Sequence, residues 1–196
     1  MILFLSYNAA NGQARTGFEE YYYSSGSGIS ALVSKAYYQD SRHWYGEVRY
    51  NYEEEQTFSL YAGKTFSRED SLSYSFTPLA GIVVGKFRGG SIGMNMTLER
   101  KNFIFSSVLQ YTASVENKKG DFLFSWSELG YQATSYFYAG LTLQQTSLYQ
   151  TACKWEPGIQ VNISYRKWVF PIYAFSPMDD KRYFVLGITR EWEHHK

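Results

Sequence analysis

The chain has 196 residues with 19 basic and 18 acidic side chains, a formal net charge of +1. That is material for one domain, and the balanced charge, with no basic stripe to follow a phosphate backbone, excludes nucleic acid as the natural partner. Aromatic residues make up 19% of the chain and no run of 18 apolar residues occurs, which excludes a helical membrane span but not a membrane barrel, whose alternating strands hide their apolar face from any window average.

Taken from the N-terminus, the apolar stretch 1–5, followed by the small residues Ala10 and Gly12, resembles the end of a secretory signal, although no Lys or Arg precedes it. Residues 1–14 are therefore expected to be a truncated signal peptide or an N-terminal extension, 15–192 a barrel, and 193–196 a polar tail. Turn signals then recur at a steady interval: Ser25-Gly26-Ser27-Gly28, Asp40-Ser41-Arg42, Glu53-Glu54-Glu55, Arg68-Glu69-Asp70, Arg88-Gly89-Gly90, Arg100-Lys101-Asn102, Asn117-Lys118-Lys119-Gly120, Thr134-Ser135, 151–157, Arg166-Lys167 and 177–181. These breaks leave about twelve strands of roughly ten residues, the length a tilted strand needs to cross a bilayer core. No segment shows a sustained helical period.

Between the breaks, successive side chains alternate in character, as they do on the two faces of a strand. In 43–52, Trp44, Val48, Tyr50 and Tyr52 oppose His43, Glu47, Arg49 and Asn51. In 91–99, Ile92, Met94, Met96 and Leu98 oppose Ser91, Gly93, Asn95, Thr97 and Glu99. In 159–166, Ile159, Val161, Ile163 and Tyr165 oppose Gln160, Asn162, Ser164 and Arg166. The expected fold is an all-β, transmembrane, antiparallel up-and-down barrel of about twelve strands, apolar outside and polar inside.

That geometry expects Glu47, Arg49, Asn95, Glu99, Glu128, Gln144, Asn162 and Arg166 to line the lumen. It expects Tyr37, Trp44, Tyr149, Trp155, Trp168 and Trp192 to form aromatic girdles at the membrane interface. In 122–129 no apolar face is clean: Glu128 either joins Trp126 in the lumen or the register shifts at a bulge. Arg190 falls on the apolar register of the last strand, where a position near the interface costs least.

The segments Ser73-Tyr74-Ser75-Phe76-Thr77-Pro78-Leu79-Ala80-Gly81, Phe124-Ser125-Trp126-Ser127-Glu128-Leu129 and Gly140-Leu141-Thr142-Leu143-Gln144-Gln145-Thr146, with Tyr149-Gln150-Thr151, resemble small, functionally uncharacterised outer-membrane β-barrel proteins of Gram-negative bacteria. The likeness covers roughly residues 15–192. It implies location in the bacterial outer membrane and transfers no activity. The chain departs from the usual terminal aromatic, since Glu193-His194-His195-Lys196 follow Trp192.

Chemistry-bearing motifs are sparse. His43 is the one histidine inside the barrel region; as a catalytic base it would need a serine nucleophile within reach, and its place beside a turn suits an interfacial role. Glu53-Glu54-Glu55 and Asp179-Asp180 lack the glycine and alternating oxygens of a calcium loop and read as solvated turns. No catalytic residue, metal site or cofactor is assigned. The leading expectation is a narrow channel or non-enzymatic scaffold in the outer membrane, with membrane lipid and a small polar solute as its partners; the oligomeric state is left open. A membrane-embedded lipid hydrolase or acyltransferase is the alternative, and a soluble barrel binding an apolar ligand the second.

Overall fold

The computed structural model describes residues 13–25 and 30–194, so the expectation for the extreme N-terminus lies almost wholly outside the described residues. The strands are β1 (Ala14–Ser25), β2 (Ser30–Gln39), β3 (Trp44–Tyr50), β4 (Thr57–Lys64), β5 (Phe66–Arg68), β6 (Ser73–Gly85), β7 (Gly89–Arg100), β8 (Phe103–Ser114), β9 (Phe122–Thr134), β10 (Phe137–Leu148), β11 (Lys154–Tyr165), β12 (Trp168–Phe175) and β13 (Tyr183–His194). Both β4 and β5 pair with β6. They form one wall strand interrupted at Thr65, whose amide donates to the His43 carbonyl at 2.9 Å. Each wall strand pairs antiparallel with its neighbour in the chain, and β1 pairs with β13. The result is a closed up-and-down barrel of twelve wall strands.

Closure leaves no open sheet edge, which a backbone placed in lipid requires. The turns 101–102, 135–136 and 166–167 lie at the end that also holds the start of β1 and the finish of β13. Longer connections, 51–56, 115–121, 149–153 and 176–182, lie at the other. Short turns beside the termini and longer loops opposite are the arrangement of outer-membrane barrels. The last strand runs to His194, so Glu193 and His194 belong to the wall and pair with Arg15 and Ala14.

The two faces are inverted relative to a water-soluble protein. Outward stand Val48, Leu60, Ile82, Ile92, Leu129, Leu141, Ile159 and Leu186, with Ile92 and Leu141 each 63% exposed. Inward and buried stand Glu19, Lys35, Glu47, Arg49, Gln110, Glu128, Gln160 and Asn162. A continuous apolar belt around a polar interior would cost a soluble protein heavily and suits lipid outside. The soluble-barrel reading is opposed by this distribution.

Gly130 on β9 shows how tightly the interior is fitted. A Cβ there would collide with the end of the Tyr138 ring and lie 2.7 Å from the Ala139 carbonyl oxygen. Backbone cannot yield to such contact, and overpacking costs roughly 1–3 kcal/mol. Gly130→Val is expected to lower the urea midpoint for unfolding from vesicles; an unchanged midpoint would show that both the Tyr138 ring and the strand backbone at Ala139 give way freely.

Candidate functional site: the lumen

The interior is best followed from the terminus end toward the loop end. Near the termini, Arg15 Nη2 donates to Gln39 Oε1 at 3.0 Å, and the Thr65 hydroxyl donates to the same oxygen at 2.8 Å. The Tyr37 hydroxyl donates to Glu191, and Arg15 Nη1 lies 3.9 Å from that carboxylate. Tyr37 is therefore a lumen residue and not part of the interfacial girdle. In the pair Tyr37-Tyr38 the two-residue period sends one ring each way, and Tyr38 is the outward one, 50% exposed.

At mid-height the spacing Glu47-x-Arg49 puts both side chains on the inner face of β3. Arg49 Nε donates to Glu47 Oε1 at 2.8 Å, and the Tyr45 hydroxyl donates to Glu47 Oε2 at 2.7 Å. Arg49 Nη1 reaches across the lumen to Gln110 Oε1 on β8 at 2.7 Å and lies 3.3 Å from Glu53 Oε1. The rings of Tyr52 and Tyr61 lie 4.3 Å and 4.2 Å from its guanidinium carbon. Glu53 is held in turn by Ser59 Oγ at 2.7 Å and the Tyr61 hydroxyl at 2.9 Å. Beside this hub, Lys35 Nζ meets Glu19 Oε2 at 3.0 Å. Buried charges persist where partners and hydrogen bonds offset their desolvation; Glu47, Arg49 and Glu53 have both, whereas Glu19 Oε2 faces the Lys35 ammonium and accepts no hydrogen bond among the described residues.

On the far wall, Glu128 Oε1 accepts from Trp126 Nε1 at 2.9 Å and from the Tyr173 hydroxyl at 3.0 Å. Glu128 and Trp126 thus share the inner face, and the register irregularity of β9 sits between Phe137 and Tyr138 of its partner strand. Trp126 begins an aromatic cluster: its ring lies 5.1 Å from both Tyr173 and Phe175, and Phe175 stacks on Tyr183 at 4.9 Å. Tyr21 and Val33, from the first two strands, pack against the same group. This cluster crosses the loop-end half of the lumen.

Of the other residues expected to line the lumen, Asn162 is buried there, and Asn95 and Gln144 face inward half-buried. Gln144 donates to Glu156 Oε2 at 3.4 Å. Glu99 faces inward beside the turn 101–102, half-buried. Arg166 does not line the lumen: alternation ends at Tyr165, and Arg166 stands exposed in a turn with φ 56°. Tyr52 also departs from the expected lipid face. Asn51 takes a left-handed backbone, φ 56°, which breaks the period and turns Tyr52 inward over Arg49. The sequence does not mark Glu19, Lys35, Gln110, Glu156 or Glu191 as lumen residues, and Glu53 is expected in a solvated turn rather than in the lumen. In β1 the adjacent Glu19 and Glu20 place one carboxylate on each face, so composition could not say which mattered.

On the outer wall, Trp44 and Trp155 are exposed at strand ends and Lys64 Nζ lies 5.5 Å from the Trp44 ring. Trp168 and Trp192 also face outward, with the Arg190 guanidinium between them at 4.8 Å and 4.9 Å. A lipid-facing arginine costs ~2–4 kcal/mol at the bilayer midplane and ~0–1 kcal/mol near the interface, so its place beside the turn 166–167 is the cheap one. Tyr149 is exposed in the connection 149–153. His43 stands in a turn with φ 67°, and its Nδ1 lies 3.5 Å from Gln39 Nε2. His194 Nε2 lies 2.8 Å from Thr16 Oγ1. Neither contact supplies a serine nucleophile.

No family model and no curated protein matches the chain. Solved structures do share its fold. The KdgM porin superposes with a TM-score of 0.61 at 10% identity, covering 89% of this chain and 98% of that one. The NanC porin gives a TM-score of 0.60 at 10% identity, covering 92% and 100%. OccAB4 of Acinetobacter baumannii gives 0.51 at 12% identity, covering 89% of this chain and 57% of that one. The chain is an outer-membrane-type β-barrel with the fold of the small porins.

Proposed function

We propose that the protein is a narrow channel of the bacterial outer membrane for small polar solutes, with a lumen biased toward cations. One observation carries the reading: the polar interior of a lipid-compatible wall holds more carboxylates than cations. Glu19, Glu47, Glu53, Glu128, Glu156 and Glu191 face Arg15, Lys35 and Arg49, and Lys154 joins only at the rim, where its side chain is 64% exposed. Glu128 is held by two neutral donors. KdgM has been seen in complex with oligogalacturonate, a polyanion. A carboxylate surplus disfavours such a passenger here, because fixed charge inside a low-dielectric wall repels its own sign.

Single-channel recording in planar bilayers under a salt gradient tests this. The expected result is a small conductance with a cation-selective reversal potential, shifted toward neutrality in Glu128→Gln. Anion selectivity would overturn the charge assignment. The aromatic cluster across the lumen favours a second reading, a non-conducting scaffold, and silence in both the native protein and a variant with that cluster opened would establish it.

A further inference from the structure

We infer that the outer wall around β11–β13 binds the phosphate of an anionic phospholipid, with Arg190 as its ligand. The inference goes beyond solute passage and does not depend on it. Arg190 faces outward on β13, paired across strands with Trp168 of β12 and Phe18 of β1. Trp168 is the first strand residue after the turn 166–167, so the guanidinium sits at the edge of the apolar belt. Tryptophan rings favour the headgroup level, and two of them hold this cation from either side.

The direction of the side chain is informative. One carboxylate, Glu20, occupies the same outer face, opposite Ile188 and so diagonal to Arg190. No ion pair joins them among the described residues: Glu20 instead accepts from Ser34 Oγ at 2.9 Å. Arg190 turns the other way, between its own Trp192 and Trp168, toward the membrane edge. Its Nε is buried and has no hydrogen-bond partner among the described residues. The other acids of this strand end, Glu191 and Glu193, lie on the lumen side of the alternation.

Two more cations border the place. Arg166 and Lys167 are exposed in the adjoining turn, with Arg166 5.4 Å from the Tyr165 ring. With its Nε buried, the guanidinium offers its Nη groups, which make no hydrogen bond or ion pair among the described residues; flanked by interfacial indoles and a dibasic turn, they match a phosphate diester by charge and by forked geometry. The occupant is the headgroup of an anionic phospholipid in the leaflet at the terminus end; free inorganic phosphate has the same chemistry and must be separated by experiment.

Native mass spectrometry of the folded protein from micelles doped with phosphatidylglycerol or phosphatidylcholine provides the test, with folding checked by heat-modifiable gel migration. The native chain is expected to retain phosphatidylglycerol over phosphatidylcholine by about fivefold or more, the affinity that one basic residue supplies at an anionic surface. Arg190→Gln should abolish that preference, and R166Q/K167Q, confined to the turn, should reduce it. Should Arg190→Gln fail to fold, Arg190→Lys must lower the preference, since it keeps charge and loses the fork. Equal retention of the two lipids, or an undiminished preference in the folded Arg190 variant, overturns the proposal. Displacement of the lipid by excess inorganic phosphate would reassign the site to the free ion and overturn it as a lipid site.

Discussion

Arg49→Met is expected to destabilise the folded barrel by about 3–5 kcal/mol, the cost of removing one partner from a buried ion pair. The reason lies less in the lost attraction than in what stays behind. Glu47 and Glu53 would remain inside the wall, each with its hydroxyl donors but without the guanidinium that offsets their charge. The side chains of Arg49 and Glu47 are 2% and 0% exposed, so water cannot readily take its place. The variant also loses the strut from β3 to Gln110 on β8 and the cation between Tyr52 and Tyr61. Urea titration of the vesicle-embedded protein, read by heat-modifiable migration, measures the effect. Adding Glu47→Gln to Arg49→Met should recover part of the loss, because it removes one of the stranded charges. A loss under about 1 kcal/mol, the range of an exposed surface pair, would mean that the hub is hydrated and unimportant to stability.

The same hub shows where sequence reasoning succeeded and where it stopped. Glu47 and Arg49 were legible because both lie inside β3, where a two-residue period has physical force. Val48 and Tyr50 were legible on the outer face for the same reason, as in β11 were Ile159 and Ile163 outside and Gln160 and Asn162 inside. Glu53 was not. It belongs to a triplet of glutamates that reads as a solvated turn, and it enters the lumen only because the turn folds back. Asn51 and Gln56 both take left-handed backbones, and Asn51 Oδ1 accepts from the Gln56 amide at 2.7 Å. Alternation says nothing about residues beyond the strand, which is why Tyr52 and Arg166 were also misassigned. Tyr37 failed differently: two adjacent tyrosines satisfy either register, and only the pairing of β2 with β1 and β3 decides between them.

Trp126→Ala is expected to raise unitary conductance severalfold by opening the loop-end half of the lumen. The indole is 4% exposed and touches aromatic rings on β12, with Tyr21 and Val33 of the opposite wall in the same cluster. Its removal would leave a gap bordered by the Tyr173 and Phe175 rings, which are anchored on a different strand and cannot collapse fully into it. Truncation of this kind costs about 3–5 kcal/mol, so folding must be verified before recording. Two comparisons separate the causes. Trp126→Phe keeps most of the bulk while losing the donor to Glu128; if it leaves conductance near the native value while Ala raises it, the ring itself sets the constriction. If Phe and Ala raise conductance alike, the hydrogen bond that positions Glu128 is the controlling element instead. Trp155→Ala, on the outer face, should leave conductance unchanged, because its ring stands outside the wall and not in the lumen. A native conductance in Trp126→Ala would remove the aromatic cluster as the constriction and move the search to the Arg49–Gln110 strut.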